Sequence, residues 1–173
     1  MASIDLERAI EINPHYTQAY CERCLLYLKQ KQWKLAFKDV ERAVKINPYY
    51  AMAYCNRGLI YFKRRKSALA LIDYNYAIEI DSNLAMAYYN RGLLYFNQNQ
   101  LKLALSDYNR SIQINPNLAE LYENRAKVWI KLKNFAKAIR DLNAAITIFG
   151  QQKNVAGYQQ ARSMLKSVKK SIH

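Results

Sequence analysis

The sequence predicts an all-α protein, an array of stacked helix-turn-helix units. Three observations carry that expectation. First, "AMAYCNRGLIYF" at residues 51–62 returns as "AMAYYNRGLLYF" at 85–96, changed at two positions after an interval of 34 residues. A fixed period of this length marks a repeat array. Second, "INP" stands at 12–14, 46–48 and 114–116, on the same grid. Third, Gly (4) and Pro (3) are scarce in 173 residues. That balance suits helices and starves hairpins of their turn residues. Half of the residues are apolar (51%), too many for a disordered tail and enough for a core.

The elements follow in order. Residues 1–16 hold "IDLERAIEINP" (4–14), which matches "KDVERAVKINP" (38–48) and reads as the orphan second helix of a partial unit. An array that begins with half a unit is expected to be a fragment of a longer protein or a natural cap. Four complete units are expected at 17–50, 51–84, 85–118 and 119–152. Each holds two amphipathic helices. In the third, Tyr88, Gly92 and Tyr95 share one face, and Leu101, Ala104, Leu105, Tyr108 and Ile112 share a face of the next helix. The polar runs "KQKQW", "KRRKS", "NQNQL" and "KLKNF" separate the two helices. Asn-Pro closes a unit because proline lacks an N–H and disfavours helix in the residue before it. In the second unit Asp81, Ser82 and Asn83 replace it, and Asp or Ser is expected to cap the following helix. Residues 153–173 are expected to form a C-terminal capping helix. Val155, Tyr158, Met164, Leu165 and Val168 would cover the last unit while its basic residues face water.

On the 34-residue grid the units resemble the tetratricopeptide repeat (TPR). Place four of each unit is Tyr20, Tyr54, Tyr88 and Tyr122; place eight is Cys24, Gly58, Gly92 and Ala126; place eleven is Tyr27, Tyr61, Tyr95 and Trp129. Place twenty is alanine throughout (Ala36, Ala70, Ala104, Ala138), and place twenty-four is Val40, Tyr74, Tyr108 and Leu142. Place twenty-seven is Ala43, Ala77, Ser111 and Ala145, and place thirty-two is Pro48, Ser82, Pro116 and Gly150. Small residues sit where helices cross closely and large ones fill the gaps. The wording "YNRGLLYF…ALSDYNRSIQINP" is similar to that of cyanobacterial TPR proteins. The resemblance implies a right-handed α-solenoid superhelix and a protein-protein interaction scaffold or adaptor that binds a peptide or helix in a concave groove.

In that family the groove is faced by particular places of the first helix. Carried over, they give Met52, Cys55, Asn56, Leu59 and Phe62 in the second unit, and Met86, Tyr89, Asn90, Leu93 and Phe96 in the third. The fourth adds Asn124 and Lys127. An exposed strip of Met, Leu and Phe wants a partner, although the same residues could instead bury against neighbouring helices. Asn56, Asn90 and Asn124 recur at place six. A side-chain amide donates and accepts together and can hold a peptide backbone. The pattern resembles the asparagine ladder of the O-linked N-acetylglucosamine transferase family; the alternative is an Asn bonded locally or to water. The family's carboxylate clamp for acidic C-termini needs Lys at place five and Asn at place nine. Cys21 with Leu25, Cys55 with Leu59, Tyr89 with Leu93 and Glu123 with Lys127 occupy those places, so no tight recognition of an acidic tail is expected.

Arg23, Arg57, Arg91 and Arg125 recur at place seven, and Asp39, Asp73, Asp107 and Asp141 follow each by sixteen residues. The coupling points to an interhelical ion pair, suited to the planar guanidinium. Net charge is +14, which favours anionic partners. Lys63, Arg64, Arg65 and Lys66 form a basic edge that could contact nucleic acid or an anionic membrane, the rival to groove binding, or simply keep the array solvated. A docking module of a larger enzyme and self-association are the other readings. Cys21 and Cys24 form a CxxC without further cysteine pairs or nearby histidine, the histidines being His15 and His173; buried thiols rather than a metal site are expected. No catalytic constellation, cofactor motif, leader or spanning segment is apparent, so a non-enzymatic, cytoplasmic binding protein is the expectation.

Overall fold

The computed structural model describes residues 2–171, with side chains from Ile4 onward; Met1, Ile172 and His173 lie outside the described residues. Every regular element among them is an α-helix: α1 (Ala2–Ile12), α2 (Thr17–Lys29), α3 (Trp33–Ile46), α4 (Ala51–Lys63), α5 (Ser67–Ile80), α6 (Ala85–Asn97), α7 (Leu101–Ile114), α8 (Ala119–Lys131), α9 (Phe135–Gln151) and α10 (Val155–Lys170). Two compact units result, residues 1–90 and 91–173, and each is described by itself.

Two kinds of turn set the period. Inside a repeat, the first helix ends with a paired backbone closure. Gln32 N–H donates to Tyr27 O (2.8 Å) and Lys31 N–H to Leu28 O (3.1 Å). Lys66, Gln100 and Asn134 repeat the longer bond to Tyr61, Tyr95 and Trp129, and the same closure recurs after α9, from Asn154 to Phe149. This geometry puts one residue in the left-handed region, and Lys31 (φ 59°), Arg65 (60°), Asn99 (58°), Lys133 (55°) and Lys153 (55°) occupy it without a glycine among them. Between repeats, the side-chain oxygen of Asn47 accepts from Tyr49 N–H (2.9 Å), and that of Asn115 from Asn117 N–H (3.1 Å). Asp81 does the same for Asn83 N–H (2.9 Å). The expectation that the "DSN" stretch caps the following helix is therefore corrected for Asp81: its carboxylate closes the turn locally, the alternative short polar side chains offer the backbone. At place thirty-two of the fourth unit Gly150 replaces proline, and α9 runs on to Gln151, 17 residues against 14 in α3, α5 and α7.

In residues 1–90, α3 packs on both α2 and α4, α5 packs on α4, and α1 rests on α2. A second helix thus lies between its own first helix and the next one. In residues 91–173, α8 touches α7 and α9, and α10 lies on α9 and α8. The core is made of the small and large places of the repeat. Ala36, Ala70, Ala104, Ala138, Val40, Tyr74, Tyr108 and Leu142 are all fully buried. The Tyr74 hydroxyl is buried without a hydrogen-bond partner among the described residues, and burial raises its pKa. Along α10, Val168 is buried and Tyr158, Met164 and Leu165 are partly buried against α9, whereas Val155 is 65% exposed and covers nothing.

The arginine–aspartate coupling is an ion pair in every complete repeat. Arg23 Nε and Nη2 lie 2.7 and 2.8 Å from the Asp39 oxygens. Arg57–Asp73, Arg91–Asp107 and Arg125–Asp141 are equally bidentate, at 2.6–2.9 Å. The aspartates are buried and the arginines half-buried. Arg57 also holds Glu41 at 3.0 Å, and Arg125 Nη1 donates to Asn109 Oδ1 at 2.6 Å. The hydrogen bonds to Asp73 hold the Arg57 guanidinium above its ordinary pKa.

Two outcomes follow for stability. Lys133→Gly relieves a left-handed residue that costs about 1–2 kcal/mol and gives back about 0.5–1 in chain entropy, so chemical denaturation is expected to show a net gain of about 0.5 kcal/mol. Asp39→Ala leaves the half-buried Arg23 guanidinium without its carboxylate and is expected to cost about 3 kcal/mol in the same measurement, far more than loss of an exposed pair would.

Candidate functional site

The candidate site is built from the first helices, whose outward places are set by the same 3.6-residue period that buries their tyrosines. In residues 1–90, Met52, Leu59 and Phe62 of α4 and Tyr89 are half-buried, and Met86 is 39% exposed; Leu25 of α2 is 37% exposed and Leu28 half-buried. These are partly open apolar side chains on successive first helices. Three expected groove residues are not available there. Cys55 is fully buried, Asn56 is 3% and Asn90 5% exposed. Asn56 Nδ2 donates to Cys21 O at 3.3 Å, and Asn90 Nδ2 to Cys55 Sγ at 3.5 Å. The physical reason is the close stacking of first helices: α2 and α4 touch, so place six faces place five of the preceding repeat rather than solvent. The buried amide is satisfied internally, as a buried polar group must be. This corrects the expectation of an amide ladder at Asn56 and Asn90.

In residues 91–173, Leu93, Phe96, Asn124 and Lys127 are half-buried. Asn124 and Lys127 belong to a polar cluster. Lys127 Nζ lies 2.8 Å from Glu123 Oε1 and donates to Asn124 Oδ1 at 2.9 Å, and Gln160 Nε2 donates to Glu123 Oε1 at 2.6 Å. Glu123, 5% exposed, is thereby paired. The cluster borders a depression of about 330 Å³ lined also by Glu120 and Gly157. Gln160 was invisible to the repeat grid, because the longer α9 displaces α10 from the 34-residue register.

Lys63, Arg64, Arg65 and Lys66 are all exposed at the α4–α5 turn. Arg64 lies over the Phe37 ring at 5.2 Å. In the later unit Lys131 lies over Phe96 at 4.7 Å and Lys137 over Trp129 at 4.5 Å. Part of the basic rim thus covers aromatic surface. Cys21, Cys24 and Cys55 are buried free thiols, each pushed up to about 12, chiefly by burial. Among the described residues no group of three or more His, Cys, Asp or Glu converges, and no helix is long and apolar enough to cross a membrane.

The tetratricopeptide repeat family model matches residues 51–84 and 85–118. Residues 51–118 are thus two tetratricopeptide repeats. Solved structures agree on the fold. YrrB, described as a TPR protein with an unusual peptide-binding site, is 23% identical over 91% of this chain and 80% of its own, with a TM-score of 0.64. The first TPR of Spaghetti (RPAP3), bound to the HSP90 peptide SRMEEVD, is 27% identical over 68% of this chain and 93% of its own, with a TM-score of 0.61. The Cut9–Hcn1 assembly of the APC/C reaches a TM-score of 0.82 at 16% identity, covering 94% of this chain and 32% of its own. No curated protein matches the chain in sequence.

The buried thiols set an alkaline limit. Their pKa is raised from 9.0 to about 12, so the unfolded chain releases these protons first. Their contribution is fully present below about pH 9 and is lost as pH rises toward 12, at up to about 1.4 kcal/mol per pH unit for each thiol. Denaturant unfolding at a series of alkaline pH values is expected to show this decline, and replacing all three by Ala is expected to flatten it.

Proposed function

We propose that the chain is a non-enzymatic protein-interaction scaffold that receives a peptide or helix on the outward face of its first helices. The observation that carries this reading is the succession of partly open apolar side chains on α2, α4 and residues 85–90: Leu25, Met52, Leu59, Phe62 and Met86. Water-exposed apolar surface of this kind is stabilised by a covering partner. The likeness to TPR structures described with a peptide-binding site or a bound peptide supports the same reading. Leu93, Phe96, Asn124 and Lys127 offer a second, more polar patch in the later unit.

Recognition here rests on apolar contact rather than on a ladder of amides, since Asn56 and Asn90 are spent inside. The partner is not an acidic C-terminal tail gripped by a lysine–asparagine clamp, because Cys55 and Leu59, or Tyr89 and Leu93, stand at the clamp places. The +14 net charge draws acidic partners in and raises the association rate more than the affinity.

The test uses peptides selected on this chain from a random display library. Leu59→Glu with Phe62→Glu is expected to weaken their binding at least tenfold, while neutralising Lys63, Arg64, Arg65 and Lys66 to Gln slows association and removes its salt dependence. Full binding by the Leu59, Phe62 variant would reject the proposed face. A binding loss confined to the basic variant, shared with nucleic acid or anionic vesicles as probes, would favour the basic edge instead.

A further inference from the structure

Within residues 1–90 the second helices expose aliphatic side chains that the first-helix face does not use. Leu35 of α3 is 44% exposed and Leu69 of α5 is 41% exposed, at the same place of successive repeats. Ile72 is 61% exposed. Residues three apart lie on one side of a helix, so Lys66, Leu69 and Ile72 form a single stripe running down from the α4–α5 turn. On α3 the exposed Lys34 adjoins Leu35 in the same way.

These aliphatic residues sit beside an undiluted cationic surface. Lys31, Lys34, Lys63, Arg64, Arg65 and Lys66 are all exposed, and the sequence holds no Asp or Glu between Glu22 and Asp39 or between Glu41 and Asp73. The two basic turns adjoin: Arg64 Nη2 donates to Trp33 O at 3.5 Å, and its guanidinium lies over the Phe37 ring, both on α3. The fold does not demand this charge. Asn97, Gln98, Asn99 and Gln100 make the same turn in the next repeat with no charged residue, Asn99 (φ 58°) standing where Arg65 (φ 60°) and Lys31 (φ 59°) stand. Asparagine enters the left-handed region more easily than lysine or arginine, so the cations are held where an uncharged residue closes the turn at lower cost.

We propose that this face of residues 1–90 docks on the surface of an anionic lipid bilayer. The six cations meet lipid phosphates, and Leu35, Leu69 and Ile72 enter the boundary between headgroups and acyl chains. Charge complementarity and apolar contact act together there, and stable attachment to a membrane surface takes two such signals. Each Lys or Arg near an anionic bilayer raises partitioning about fivefold. A single-stranded nucleic acid asks for something else, open aromatic faces on which bases stack. Here Trp33 is half-buried and Arg64 covers Phe37, while the exposed apolar side chains are aliphatic. The docking is peripheral, and it goes beyond the peptide-receiving reading, which uses the first helices.

The test is co-sedimentation of the 173-residue chain with vesicles of phosphatidylcholine, with and without phosphatidylglycerol. The native chain is expected to bind only the vesicles containing phosphatidylglycerol. Replacing Lys63, Arg64, Arg65 and Lys66 by Gln should weaken binding at least about fiftyfold. Replacing Lys153, Lys166, Lys169 and Lys170 by Gln removes the same charge from exposed positions of the other unit and should weaken it less than about fivefold. Replacing Leu35, Leu69 and Ile72 by Gln leaves the charge intact and should weaken binding at least about fivefold. Ile72→Gln alone, at the most exposed of the three, should give a smaller loss in a chain whose thermal unfolding is unchanged. Equal losses in the two charge variants would reduce the effect to net charge and overturn the proposal. So would full vesicle binding by both apolar variants, or a native chain that ignores the vesicles and binds single-stranded RNA through the same cations.

Discussion

The fold depends on a volume match between place eight of each first helix and place twenty-four of its second helix. A Cβ on Gly58 would stand 2.6 Å from Tyr74 Cε1, and one on Gly92 would stand 2.8 Å from Tyr108 Cε1. Both rings are fully buried and have nowhere to retreat. Where the small residue is larger, the facing residue shrinks: Cys24 goes with Val40, and Ala126 with Leu142, in shared clusters. The sum is conserved while its division varies, as close packing requires. This contact fixes how near the helices of a pair approach. That distance in turn lets the arginine at place seven reach the aspartate sixteen residues on with both arms of its guanidinium.

Much of this was legible in the sequence. The 34-residue period, the helix pair within it and the arginine–aspartate coupling were visible because each recurs with the same residue type. Other features were hidden for particular reasons. The place-six asparagines look alike in sequence, yet Asn56 and Asn90 are buried while Asn124 is half-exposed in a polar cluster. Cys21 and Cys55 accept from the amides of the first two, whereas the Asn124 oxygen accepts from Lys127. The extension of α9 through Gly150 moves α10 off the grid, which concealed Gln160. Between Asp81 and Ser82 as caps the sequence could not choose, because the same carboxylate can cap a helix or close a turn, and the backbone path sets Asp81 to the turn.

These features divide the surface by role. Apolar side chains of intermediate exposure collect on the first helices. Many of the cations collect at the intra-repeat turns, where several lie over aromatic rings and hold them from water. The recurring ion pairs are internal and half-buried or buried. On the proposed reading, a partner would meet an apolar strip with a cationic margin, a surface suited to an amphipathic segment carrying negative charge.

The volume match is tested most directly by Gly58→Ala in two backgrounds, with stability read by chemical denaturation. Helix propensity alone gives alanine an advantage of about 1 kcal/mol over glycine, and overpacking costs about 1–3 kcal/mol. In the native chain the clash with Tyr74 is expected to prevail, and Gly58→Ala destabilises. With Tyr74→Leu the ring is gone, the pair comes to resemble Ala126 with Leu142, and the same substitution should stabilise. A stabilising Gly58→Ala in both backgrounds would contradict the account.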